Sequence, residues 1–123
     1  MKELRDQCAS IVKELEEGIV VTQDDIDEER YPDSDYTAGD QLTSYDYLQD
    51  MDVHRYILNS DMSYSGIIIM VSYGGPNIFI DTDANEVQGY WGNETVKLYY
   101  RTKEGEDFMG VHEYGREVYE DQR

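Results

Sequence analysis

Among its 123 residues the chain has one cysteine, Cys8, two prolines, two phenylalanines and one tryptophan. A lone thiol excludes an internal disulfide framework and suits a reducing cytosol. Basic residues are scarce as well: ten Lys and Arg face 28 Asp and Glu, a formal net charge of −18. A surface of that sign repels phosphate, so direct nucleic-acid binding through backbone neutralisation is excluded. The longest apolar run, Ile67–Val71, is far short of the roughly 20 residues that span a bilayer, and no membrane role is expected. The opening residues, Met1-Lys2-Glu3-Leu4-Arg5-Asp6, lack the apolar stretch of a secretion signal, which predicts a cytoplasmic protein.

What is abundant is acid and tyrosine. Twelve tyrosines and an apolar fraction of 39% separate the chain from acidic disordered tails, which are poor in aromatics. The length fits one domain, residues 1–123, with a core of its own. Leu4, Cys8, Ile11, Val12 and Leu15 recur on one face of a 3.6-residue period and predict a helix over Lys2–Glu17, stopped by Gly18. Thr22 is placed to cap a short helical turn containing Asp24 and Asp25, and Thr43 or Ser44 to start another through Tyr45, Leu48 and Met51. Residues 53–58, 66–73, 77–81, 86–91 and 95–101 are β-branched and aromatic runs, separated by Asn, Asp, Gly and Pro clusters. Connections this short predict an antiparallel sheet of four to five strands in the C-terminal half. Ile67–Val71, apolar on both faces, reads as a central strand covered on both sides. A last helix is expected over residues 106–122. The predicted class is α+β: helical and acidic over 1–52, antiparallel strands over 53–101, with helices at both ends packed on the sheet.

Chemistry-bearing motifs are few. Asp81-Thr82-Asp83-Ala84-Asn85 imitates the start of a calcium-binding loop, but Glu86 and Gly92 stand where Gly and Glu are required. An Asp- and Asn-rich hairpin turn is the simpler reading. His54, His112 and Cys8 show no zinc spacing. With 28 carboxylates some pair always meets the geometry of a glycosidase by chance, so a pair is no sign of one. No catalytic residue, metal or cofactor is assigned, and the chain reads as a non-enzyme.

The charge itself is the signal. Solubility in a small domain needs a net charge of only about 2 to 8, and −18 strains the fold by self-repulsion. Between Thr22 and Asp52 eleven acids stand against Arg30 alone, a net of −10 in 31 residues. Mass scaling gives a surface of roughly 6,800 Å², about 250 Å² per carboxylate, against roughly 110 Å² per phosphate on duplex DNA. Concentrating the acids on one face closes that gap. The expected face comprises Asp24, Asp25, Asp27, Glu28, Glu29, Asp33, Asp35, Asp40, Asp46, Asp50 and Asp52, with Tyr31 and Tyr36 as aromatic anchors.

In size, acidity and tyrosine content the chain resembles the small anti-CRISPR and DNA-mimicking antirestriction proteins of phages and mobile elements. The segments Tyr73-Gly74-Gly75-Pro76-Asn77-Ile78-Phe79-Ile80-Asp81-Thr82 and Val87-Gln88-Gly89-Tyr90-Trp91-Gly92 also resemble a module of small phage and mobile-element proteins. The resemblance implies a protein of the infected bacterial cytoplasm whose acids occupy the basic nucleic-acid groove of a host defence enzyme, most directly a CRISPR effector nuclease. An antirestriction protein acting on a restriction enzyme, and a calcium-dependent or carboxylate-based enzyme or sensor, are the alternatives. Two bodies of such charge repel, so a monomer is expected.

Overall fold

The computed structural model describes residues 2–104 and 106–122. The first helix, α1 (Lys2–Glu17), buries Leu4, Cys8, Ile11 and Leu15, the stripe that its apolar period predicts. It ends where Gly18 takes the left-handed conformation, φ 80°, a geometry that is unstrained only for glycine. Two short helices follow, α2 (Gln23–Asp27) and α3 (Ser44–Tyr47). Five strands then run β1 (Asp52–Leu58), β2 (Tyr64–Ser72), β3 (Asn77–Asp81), β4 (Glu86–Trp91) and β5 (Glu94–Tyr99), before α4 (Val111–Asp121). The strands pair antiparallel in sequence order, β1-β2-β3-β4-β5, as short hairpin connections dictate. The chain is therefore α+β, with an antiparallel sheet and a helix at either end.

Both long helices pack on one face of the sheet, α1 over β4 and β5, α4 over β2. Glycines permit the close approach. A methyl group at Gly89 would lie 2.6 Å from Cys8 Sγ and 2.8 Å from Leu4 Cδ1. One at Gly115 would lie 2.8 Å from Ile67 Cγ2. Between helices and sheet lie Ile67, Ile69, Ile78, Ile80 and Val87, all at 2% exposure or less. Each such side chain contributes about 1.5–3 kcal/mol by leaving water.

Two expectations need correction. The last helix starts at Val111, not 106, because Asp107 turns back to accept the N–H groups of Val111 and His112 and Gly110 is left-handed, φ 71°. Strand β2 is covered by a helix on one face only. Ile68, on the other face, is nevertheless 5% exposed, and it lines a small hollow with His54, Arg55, Phe79, Gln88 and Tyr90 of the sheet itself. No helix among the described residues is long and apolar enough to cross a membrane.

A candidate acidic binding surface

The acid-rich segment is a closed excursion. An antiparallel bridge joins Val20 and Gln41, and Val21 N–H donates to the Asp40 carbonyl at 2.8 Å while Leu42 N–H donates to that of Ile19 at 2.8 Å. Residues 22–40 are thus pinned at both ends. Inside the loop, α2 begins with a reciprocal cap: Asp25 N–H donates to Thr22 Oγ1 at 3.2 Å and Thr22 N–H donates to Asp25 Oδ2 at 2.9 Å. Asp25 also holds the Arg30 guanidinium at 2.9 Å. The backbone and side-chain hydrogen bonds with Thr22, and then the Arg30 charge, hold the Asp25 carboxyl below its usual range.

Asp46 is a second organising point. It lies at the start of α3, 7% exposed, where its Oδ2 accepts hydrogen bonds from Ser34 Oγ at 2.8 Å, from Thr43 Oγ1 at 3.4 Å and from Tyr36 OH. Thr43 N–H donates to the Tyr36 hydroxyl at 3.1 Å. Tyr31 meets the Tyr36 ring edge-on with centroids 5.5 Å apart. Burial, then the nearby Asp25 charge, raises the Tyr31 hydroxyl above its ordinary pKa. The loop is therefore ordered by its own polar groups, with Tyr31, Tyr36 and Ile26 packed against the core.

Of the acids expected on this surface, Asp24, Asp27, Glu28, Glu29, Asp33, Asp35 and Asp40 are exposed on the closed loop. Asp25 is half-buried in the cap. Asp46 departs from the expectation: it points inward and serves the loop. Asp50 and Asp52 are exposed but lie beyond the loop, Asp50 in the turn after α3 and Asp52 at the first position of β1. Tyr31 and Tyr36 are half-buried and, with Asp25, Ile26, Glu29, Pro32 and Ser34, line a cleft of about 350 Å³. Aromatic and apolar walls with carboxylates at the rim suit a cationic side chain. The segment's one cation, Arg30, is held by Asp25 and by Glu28 at 3.0 Å. A wider hollow, about 530 Å³, lies beside residues 101–104 and 106–108 and mixes Arg101 and Lys103 with Glu16, Glu104 and Glu106, and there Arg101 pairs with Glu16 at 3.3 Å.

The remaining candidates have structural roles. Asp81 Oδ1 accepts the N–H groups of Asp83 and Ala84 at 3.0 and 2.9 Å, the Asx-type turn expected of a hairpin. Cys8 sits against Gly89, and burial pushes its thiol pKa up. His112 Nδ1 lies 3.0 Å from Thr82 Oγ1, and the His54 ring sits tilted against Phe79, so the three groups occupy separate surroundings. Among the described residues no three His, Cys, Asp or Glu side chains converge in a way that would hold a metal ion. The motif glycines Gly89 and Gly92 serve packing and a left-handed turn, φ 60°. Comparison with family models, with curated proteins and with solved structures finds no match to this chain.

Proposed function

We propose that the protein is a non-enzymatic inhibitor whose acidic loop, residues 22–40, occupies the basic nucleic-acid groove of a host defence enzyme, most directly a CRISPR effector nuclease. One observation carries the reading: seven carboxylates stand exposed on a segment that is pinned at its base and ordered from within. A disordered acidic stretch loses conformational freedom when it binds, whereas a preordered one has already lost it. Lys and Arg side chains that normally hold phosphates would pair with these carboxylates, and one would enter the Tyr31–Tyr36 cleft. Such pairs raise the association rate at the rim and contribute affinity where they are desolvated.

The test is a pull-down from host lysate at low and high salt, followed by competition with target DNA on the captured enzyme. Capture is expected to fall at least about tenfold between 0.1 and 0.5 M salt, as screening shortens the reach of the charges. DNA and inhibitor are expected to exclude one another. Reversing Asp24, Glu29, Asp33 and Asp35 to Lys leaves the caps and the Asp46 hydrogen bonds in place, and is expected to abolish inhibition in a protein that still folds. Full inhibition by that variant refutes the assignment of the surface. A captured partner without a basic groove refutes the function.

A further inference from the structure

Antiparallel strands in sequence order place every second turn at the same end of the sheet. The β2–β3 and β4–β5 turns therefore lie side by side, and they belong to the two segments singled out in the sequence, Tyr73–Thr82 and Val87–Gly92. Together they line a hollow of about 260 Å³ whose walls include Tyr73, Tyr90 and Trp91. The last turn of α1, from which the acidic loop departs, is at the other end of β5, where Glu16 accepts the Arg101 N–H at 2.7 Å.

Tyr73 is 81% exposed and Trp91 37%, and among the described residues neither stacks on another ring. Tyr90 is fixed: its hydroxyl donates to Gln88 Oε1 at 3.2 Å and its ring meets Phe79 edge-on. The turn that follows Tyr73 is tied as well, since Gly74 N–H donates to Asn77 Oδ1 at 2.9 Å and Ser72 Oγ donates to the Pro76 carbonyl at 2.8 Å. Gly74 and Gly75 bring no side chain into the space, and a methyl group on either would meet nothing within 4 Å. Aromatic faces are thus left open around a hollow on a braced turn, the form that small polar or charged groups of a ligand can enter.

Aromatic faces attract cations, and a chain of net charge −18 draws them from a distance. Glu94 stands opposite Trp91 in the β4–β5 register, yet among the described residues no charged side chain lines the hollow itself. That combination selects among cations. An ammonium is strongly hydrated and leaves water only for carboxylates, such as Asp25 and Glu29 of the Tyr31–Tyr36 cleft. A guanidinium is planar, weakly hydrated and stacks on aromatic faces. Nucleobases stack on such rings too, but the phosphates that accompany them are repelled by this chain. We propose that the hollow binds the guanidinium group of an arginine side chain on a partner protein, stacked on Tyr73 and Trp91. The site does not rest on the acidic loop, because the two lie at different ends of the sheet and are built from different residues.

Trp91 is the chain's one tryptophan, so its emission reports on this site and not on the loop. The test titrates the full chain with N-acetyl-arginine methylamide, up to about 50 mM at about 0.15 M salt, where distant charges are screened. A saturable change with a Kd on the order of 1–10 mM is expected, at least about fivefold tighter than with the lysine analogue. The citrulline analogue, which keeps the shape and lacks the charge, is expected not to saturate. Tyr73→Ala removes an exposed ring and is expected to weaken binding at least about threefold, with an unchanged circular dichroism spectrum. Trp91→Leu removes the fluorophore, and in that variant the amide signals of Gly74, Gly75 and Gly92 are expected to lose their saturable shift. The loop reversal described above should abolish inhibition and leave the Trp91 response within about twofold, so the two proposals fail separately. Equal responses to the three analogues, no saturation with arginine, or a response indifferent to Tyr73→Ala overturns the proposal. A Trp91 response to oligothymidylate but not to arginine assigns the hollow to nucleobases and overturns it too.

Discussion

Removing the Asp46 carboxylate should loosen the acidic loop although no outward charge is lost. In Asp46→Ala the hydroxyls of Ser34, Tyr36 and Thr43 lose a common acceptor. A hydrogen bond to a charged group contributes about 1.5–3 kcal/mol. The Thr43 contact, at 3.4 Å, is the weakest of the three, and Ser34 and Tyr36 are open enough for water to replace part of what is lost. The expected cost is about 2–4 kcal/mol for Asp46→Ala and about half that for Asp46→Asn, which keeps one acceptor oxygen. Urea unfolding gives the global cost, and amide hydrogen exchange over residues 22–43 reports the local one. If the loop is useful because it is preordered, capture of the basic partner should fall in step with the faster exchange. Both variants within about 0.5 kcal/mol of the parent, with exchange unchanged, would refute the role given to Asp46. Lost capture with unchanged exchange would mean that Asp46 acts by direct contact.

Two further outcomes follow from the core. Burial pushes the Glu14 carboxyl above its ordinary range, partly offset by the hydrogen bond it accepts from Tyr47 OH at 3.1 Å. The folded state therefore holds this proton more tightly than the unfolded state, and stability falls as pH rises through the folded value. Glu14→Gln keeps the acceptor and removes the charge, so it should stabilise at pH about 7 and lose that advantage by pH about 4. Urea midpoints at the two pH values check this, and an equal effect at both refutes it. Gly89→Ala forces a methyl to within 2.6 Å of Cys8 Sγ and should cost about 1–3 kcal/mol by overpacking. In a Cys8→Ala background the cost should shrink, and an undiminished thermal shift there would place the strain elsewhere.

The elements of the fold were legible because each announces itself over a short window. The α1 stripe and Gly18 set a helix and its stop, and β-branched runs between turn residues set five strands to within two residues at each end. What failed required distant partners. Asp107 resembles any first-turn acid of a helix, and only its bonds to Val111 and His112 show it as the cap of a later start. A glycine inside a helix costs up to about 1 kcal/mol relative to alanine, yet Gly115 is where α4 approaches Ile67. An apolar run such as Ile67–Val71 tells which residues avoid water but not which body excludes it. Ile68 is buried on the face that no helix covers, in a hollow it shares with other side chains of the sheet.

Acidity was legible as a sum, since charges add whatever the fold, but its direction was not. Thr22-Gln23-Asp24-Asp25 and Thr43-Ser44-Tyr45-Asp46 share one spacing, and in both the threonine caps the helix that follows. The two aspartates then part company. Asp25 returns to the Thr22 amide, whereas at the second site Tyr36 OH accepts the Thr43 amide and Asp46 gathers three hydroxyls instead. Local sequence sets where each helix starts, and a tyrosine seven residues upstream of the second cap decides where its carboxylate points. A loop made only of outward acids would spread by self-repulsion. The two carboxylates withdrawn from the surface, Asp25 and Asp46, hold the others in place, so counting every acid as a contact overestimates the binding surface and overlooks the groups that keep it ordered.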